Sequence, residues 1–109
     1  MRVLKFIVNN NTIMQDPECD FSGLFPGKEK KVMAKISFSS EWDNSVKVVA
    51  FWSILGAEYP PQILSDDNTC MIPVEALQRP AFKLQIFGKV KNKKLETTKL
   101  SVYQSGGKT

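Results

Sequence analysis

The acidic side chains are the first candidates for chemistry in this chain. Asp66, Asp67 and Asn68 are consecutive oxygen-bearing residues, and such oxygens can hold a hard cation. The run lacks the alternate-position spacing and the distal Glu of a calcium loop, so a solvated turn is the better interpretation. Glu41 and Asp43 lie two residues apart and would share one face of a strand. No substrate cleft is indicated beside them, so we expect no acid–base catalysis there.

Other residue types that commonly do chemistry are scarce. The chain has no histidine, which removes the commonest general base and the commonest transition-metal ligand. Cys19 and Cys70 are far apart and outside any paired metal spacing; one disulfide could join them, but two free thiols in a reducing cytoplasm are the better interpretation. Neither Gly27-Lys28 nor Gly107-Lys108 has the rest of a P-loop. The sequence therefore predicts no catalytic residue, no metal site and no cofactor.

Length and composition indicate one globular domain. Of 109 residues, 42% are hydrophobic and 24% are charged, which is an ordinary globular balance with enough residues for a core. The net charge of +4 is mild, Arg is scarce and base-stacking aromatics are not interleaved with it, so we do not expect nucleic-acid binding. No apolar run reaches membrane-spanning length, and in Met1-Arg2-Val3-Leu4-Lys5 a charge interrupts the apolar character too early for a signal peptide. We expect a domain over 1–104 and a flexible tail over 105–109.

Two alternating runs between Lys35 and Ser53 are the elements around which the rest is organised. Apolar side chains recur at every second position in 32–38 and again in 46–52, which is typical of strands with one buried face. Asp43-Asn44-Ser45 provides turn residues between them. The pattern predicts a β-hairpin or a tight β-corner at the centre of the core. We expect the buried face of the second strand to contain Val46, Val48, Ala50 and Trp52.

Turn residues at regular spacing divide the rest of the chain into further short strands. Pro60-Pro61 places Tyr59–Gln62 at an edge or in a connection. Pro73 followed by good helix formers predicts one helical turn near residues 73–78. The other predicted strands cover 1–9, 12–15, 69–72, 82–90 and 95–104. Seven to nine short strands with one helical turn predict an all-β fold, a single-domain antiparallel β-sandwich or a small barrel.

The remaining candidates could bind a partner. Three apolar residues in the irregular connection Asp16–Gly27 either cover one end of the core or form a contact surface for another subunit. The lysines of Lys89–Lys94 either meet phosphate or an acidic protein, or prevent an exposed hairpin from pairing with neighbours. Trp42, in a polar turn, either caps the sandwich or anchors a partner. The candidate partner-binding residues are Phe21, Leu24, Phe25, Trp42, Lys91, Lys93 and Lys94.

The order of several short motifs resembles a known family. The motifs are F-S-x-E-W-D at 38–43, K-V-x-A-F at 47–51, C-x-I-P-x-E-x-L at 70–77, F-x-L-x-I-F-G at 82–88 and Thr97-Thr98 in the last strand. Their order resembles the N-terminal domain of phage upper-baseplate and tail-fibre proteins from viruses of Gram-positive bacteria, over about Ile36 to Tyr103. The chain departs from the family at Asn44-Ser45, where Gly-Leu is usual. Family members usually continue into a trimeric stalk and a receptor-binding head.

The resemblance implies a β-sandwich that docks on a virion scaffold and does no catalysis. We therefore expect a non-enzymatic structural module of a phage or prophage particle, found in the virion or in the host cytoplasm during assembly. Its partner would be a protein, and a homo-trimer is one arrangement that the resemblance allows. Two alternatives stay open: a small phage-encoded inhibitor that binds a host or defence protein, and a carbohydrate-binding β-sandwich. The second would use exposed aromatics among Trp42, Tyr59 and Tyr103.

Overall fold

A computed structural model describes residues 1–28 and 30–104, and in them the chain forms two packed β-sheets. The strands are β1 (Arg2–Asn9), β2 (Thr12–Gln15), β3 (Val32–Phe38), β4 (Val46–Ser53), β5 (Glu58–Ile63), β6 (Thr69–Met71), β7 (Ala81–Val90), β8 (Lys93–Glu96) and β9 (Leu100–Tyr103). A 3-10 turn spans Ser40–Trp42, and one short α-helix, α1, spans Val74–Leu77. The predicted all-β sandwich with a helical turn near residues 73–78 is confirmed. The tail predicted over 105–109 lies outside the described residues.

The two sheets divide the strands unequally. In sheet A the order is β2-β1-β3-β6, and in sheet B it is β5-β4-β7-β8, with β9 also paired to β7. Because β7 has ten residues, its first half pairs with β9 and its second half with β8. Within the described residues every strand pair is antiparallel except β1 with β3, which run parallel from Arg2 beside Val32 to Val8 beside Phe38. Parallel neighbours need a long return connection, and residues 16–31 provide it.

The core lies between the inner faces of the two sheets. Its buried side chains include Leu4, Phe6, Val8, Ala34 and Ile36 from sheet A, and Val49, Phe51, Phe82, Leu84, Ile86 and Val102 from sheet B. The connection after β2 closes one part of this core with Leu24, which is 1% exposed. The Gly27 amide donates a 2.7 Å hydrogen bond to the Leu77 carbonyl, so this connection is tied to α1. None of the helices in the described part of the chain is long and apolar enough to cross a membrane.

The two central runs form a β-corner, because β3 belongs to sheet A and β4 to sheet B. In β4 the buried face is opposite to the predicted one. Val49 and Phe51 are fully buried, whereas Val46 is 66% exposed and Trp52 is only half-buried. The cause is the register with β7, which places Phe51 beside the buried Leu84. Since β4 is apolar on both faces, alternation alone could not identify the inner one.

The segment predicted as one last strand, 95–104, is interrupted between β8 and β9. At this point the chain crosses toward sheet A, where the Thr98 amide donates a 2.8 Å hydrogen bond to the Asn11 carbonyl. The Thr97 hydroxyl accepts a bond from the Ile86 amide and therefore stays beside β7. The edge position predicted for Tyr59–Gln62 is confirmed, because β5 is the outermost strand of sheet B.

Candidate functional site

The outer face of sheet B carries a group of exposed apolar side chains. The pairing of β4 with β5 and β7 places Ile63, Val48 and Phe87 side by side across three strands. Val46 lies on the same face, two residues before Val48. Ile63 is 73% exposed, Val46 66% and Phe87 37%. Residues paired across strands lie within side-chain contact distance, so these four form one continuous surface, which we call the apolar patch.

Lysines border the apolar patch on the side of the β7–β8 hairpin. Pairing places Lys89 beside Val46 and Lys94 beside Lys89. Lys91 lies in the hairpin turn with a positive φ of 53°. A groove of about 800 Å³ is lined by three members of the apolar patch together with Lys89, Lys91, Lys94, Glu96 and neighbouring residues. Three ammonium groups against one carboxylate give this border a positive potential.

The structure brings two of the three predicted lysines into this groove. Lys91 and Lys94 line it, together with Lys89. Lys93 pairs with Val90, and since successive strand residues point to opposite faces, Lys93 faces away from Lys94. Lys93 is therefore not part of the surface that the apolar patch forms.

Trp42 does not lie at the surface, which corrects its assignment as a partner-binding residue. Its side chain is 1% exposed. The indole Nε1 donates a 2.7 Å hydrogen bond to the Asn10 carbonyl, and the ring packs 5.2 Å from the Phe38 ring, centroid to centroid. Trp42 can be buried in a polar turn because this carbonyl satisfies its one polar group. It caps the interior of the sandwich and is not exposed to a partner.

The three apolar residues of the 16–28 connection have different environments. Leu24 is buried, so its assignment as a partner-binding residue is also corrected. Phe21 is half-buried and packs edge-on against Phe6, with ring centroids 5.5 Å apart. Phe25 is 43% exposed, with the Lys28 Nζ 5.0 Å from its ring centroid. Leu24 and Phe21 thus cover the core, as one of the two alternatives expects, and none of the three lines the groove of sheet B.

The consecutive acidic residues form a closed turn. The hydroxyls of Ser65 and Thr69 both donate to the Asp67 carboxylate, Thr69 at 2.7 Å. These bonds, led by that of Ser65, hold the pKa of Asp67 below its ordinary value of 3.8. Asn68 adopts a positive φ of 61°, which Asn tolerates better than most residues. Asp67 therefore acts as a turn-closing acceptor. Among residues 1–28 and 30–104, no three His, Cys, Asp or Glu side chains are grouped so as to hold a metal ion.

Both cysteines are free thiols. Cys70 is buried in β6, and burial raises the pKa of its thiol from 9.0 to about 12. Cys19 is half-buried in the connection after β2, where its Sγ accepts a 3.4 Å hydrogen bond from the Lys5 amide. A buried thiol with a raised pKa is a poor nucleophile, so Cys70 is a packing residue.

Sequence reasoning missed all four members of the apolar patch. The signal that could have identified them is the composition of β4, which is apolar at Val46, Val48, Ala50 and Trp52 and again at Val49 and Phe51. A strand in a two-layer sandwich packs only one face against the other sheet. The second apolar face of such a strand is left for solvent or for a partner.

Comparison with protein-family models, with curated proteins and with solved structures finds no match to this chain. The resemblance to phage baseplate and tail proteins therefore stays a prediction.

Proposed function

We propose that this chain is a non-enzymatic structural module of a phage or prophage particle, and that it docks on a virion protein through the apolar patch and its lysines. The observation that supports docking is the exposure of Ile63, Val46 and Phe87 on one continuous sheet face. An apolar centre with a charged border is the usual anatomy of a protein–protein interface. The virion as the location of the partner is supported by the resemblance of the motifs.

The apolar patch supplies part of the required binding energy. Fully burying a Val, Ile or Phe side chain contributes about 1.5–3 kcal/mol. Scaled by the exposed fractions of Ile63, Val46 and Phe87, covering the patch contributes on the order of 3 kcal/mol. Association itself costs about 4 kcal/mol or more. The patch alone is therefore too small for stable binding, and the lysines around it must also contact the partner.

The lysines determine the chemistry of that partner. Lys89, Lys91 and Lys94 lie at one border of the patch, so the complementary surface is apolar at its centre and acidic where it meets the β7–β8 hairpin. Such rim charges mainly raise the association rate, and their effect falls as salt rises. The same lysines also protect the exposed β8 edge from pairing with other strands.

A carbohydrate ligand is less well supported by the geometry. Among the three aromatics that could stack on a sugar, Trp42 is buried and Tyr59 is half-buried, which leaves Tyr103 at 64% exposure. A single exposed tyrosine is a poor sugar platform, whereas the apolar patch combines three aliphatic side chains with Phe87, which suits a protein contact.

The proposal is tested by co-sedimentation with purified tail, baseplate and capsid assemblies of the phage or prophage that carries the gene. We expect the wild-type chain to sediment with one of these assemblies and Phe87→Asp to bind at least tenfold more weakly. Met14→Asp is the matched control, because Met14 is 46% exposed on β2 of the other sheet. Circular dichroism verifies that both variants are folded.

Two results would contradict the proposal. In the first, the wild-type chain binds no virion assembly. In the second, Phe87→Asp and Met14→Asp bind as well as wild type. Stoichiometric recovery of one host or defence enzyme from lysate, with the chain absent from particles, would favour the inhibitor instead.

A further inference from the structure

At the opposite end of β4 from the apolar patch, a protruding side chain lies beside a second groove. Val46 begins β4 within the patch, and Ser53 ends it about 24 Å away. In the turn that follows, Leu55 is 98% exposed and Ile54 is 42% exposed. The groove beside them has a volume of about 760 Å³. Its walls include Ile54, Leu55, Tyr59, Glu75, Arg79 and Pro80.

Leu55 is held in its exposed position by a closed turn. The Ser53 amide donates to the Ala57 carbonyl at 2.8 Å, and the Gly56 amide donates to the Ser53 carbonyl at 3.0 Å. The Ser53 hydroxyl also accepts a 2.9 Å bond from the Ala57 amide. Gly56 has a φ of +98°, which side-chain-bearing residues rarely adopt. Because the backbone of this turn is already ordered, covering Leu55 costs mainly the entropy of its own side chain.

The far wall of the groove is also ordered before any partner binds. Gln104 is 1% exposed, and its Nε2 donates to the carbonyls of Leu77 at 3.1 Å and Arg79 at 2.8 Å. The backbone N–H of Gln104 donates a 2.6 Å hydrogen bond to the Pro80 carbonyl. These bonds fasten the end of β9 to the segment after α1, so the wall that contains Arg79 and Pro80 keeps its shape.

The charges of the groove are balanced, unlike those around the apolar patch. Glu75 and Arg79 both line it, and the hydrogen bonds that they make within the described residues use backbone atoms. A partner that pairs with both side chains offers a cation to Glu75 and a carboxylate to Arg79. To fill the groove between them it also offers an apolar side chain. A second copy of this chain carries that same set of groups. We propose that two copies form an isologous dimer, in which Leu55 of each copy occupies the groove of the other.

Twofold symmetry follows from the position of Leu55. Leu55 and the groove lie on the same surface, and a contact in which one surface meets itself closes as a dimer. Glu75 of one copy then faces Arg79 of the other, and the pair is formed twice. The dimer replaces the homo-trimer that the resemblance allows. It leaves both apolar patches exposed, so two docking sites would act with avidity. The inference does not depend on the docking proposed above.

Sedimentation equilibrium of the full chain over a wide concentration range tests the dimer. We expect a concentration-dependent dimer for wild type and a monomer for Leu55→Asp, which changes a side chain with no packing role. Val46→Asp is the matched control, since it places the same charge on the apolar patch, and it should dimerise like wild type. Circular dichroism verifies the fold of each variant.

Charge-reversal variants distinguish the proposed Glu75–Arg79 contact between copies from non-specific association. Glu75→Arg and Arg79→Glu should each weaken dimerisation at least tenfold, and the double variant should recover most of the loss. The proposal is overturned by a wild-type chain that stays monomeric or forms a trimer. It is also overturned if Leu55→Asp dimerises normally, if Val46→Asp is the variant that dissociates, or if the double variant recovers nothing.

Discussion

Replacing Gly88 by Ala tests how closely the two sheets pack around the buried tryptophan. Gly88 lies in β7 opposite the Trp42 ring, and a Cβ at this position would lie 2.7 Å from Cζ3 and 3.0 Å from Cε3. The ring has little room to move, because it is 1% exposed, packs against Phe38 and donates a hydrogen bond to the Asn10 carbonyl. The added methyl group must therefore displace backbone or ring.

Two opposing effects set the size of the change. Overpacking a well-packed core costs about 1–3 kcal/mol. Replacing Gly by Ala also restricts the unfolded chain, which contributes about 0.4–1 kcal/mol of stability where the backbone tolerates a side chain. The clash outweighs this gain, so we expect Gly88→Ala to lower the free energy of unfolding by about 1–2 kcal/mol. For a domain of about 100 residues this lowers Tm by about 4–8 °C per kcal/mol.

The assay is urea unfolding followed by far-ultraviolet circular dichroism, with Trp42→Phe as the second member of a double-mutant cycle. Trp42→Phe removes the outer benzene ring of the indole, to which the contacted Cζ3 and Cε3 atoms belong. It also removes the hydrogen bond to Asn10 and some packing. In this background Gly88→Ala should cost at least about 1 kcal/mol less than in wild type. The reasoning is refuted if Gly88→Ala stays within about 0.5 kcal/mol of wild type, or if its cost is the same in both backgrounds.

Three further predictions concern polar and thiol groups. Gln104→Leu leaves the carbonyls of Leu77, at the end of α1, and of Arg79, after it, without their donor, so urea unfolding should show a loss of about 1–3 kcal/mol; an unchanged midpoint would contradict the role given to this side chain. Cys70, with its pKa raised to about 12 by burial, should react with Ellman's reagent only after unfolding, while Cys19 reacts in the folded chain; equal rates would refute this. The lowered pKa of Asp67 means that its carboxylate stabilises the fold above the unfolded pKa and ceases to do so as pH falls through the folded one. Asp67→Asn should therefore be less stable than wild type at neutral pH, with a difference that shrinks below about pH 4; a difference independent of pH would exclude that role.

The fold class could be predicted because alternation and turn chemistry are local properties. The Pro60-Pro61 pair places β5 at an edge, and Pro73 begins the only predicted helical turn. The parallel pairing of β1 with β3 could not be predicted this way, since it depends on the path of the long connection between them. The interruption after β8 depends on Thr98, whose amide bonds to the distant Asn11 carbonyl.

The candidate site was predictable only in its charged part. Lys91 and Lys94 stand out in the sequence because charges at a hairpin tip are exposed in almost any register. The apolar part depends on which face of β4 meets β7, and Val48 and Val49 look alike until that register is known. The burial of Trp42 could not be read from the sequence, because its hydrogen-bond partner, Asn10, is remote in the chain.

Photocrosslinking from the outer face of sheet B tests the central claim most directly. Phe87→p-benzoyl-L-phenylalanine places the probe in the apolar patch, and the same replacement at Met14 places it on the other sheet. The account predicts that, in the presence of purified virion assemblies, the probe at position 87 forms a covalent adduct with one virion protein and the probe at position 14 forms none. An adduct from position 14 with none from position 87 would contradict it.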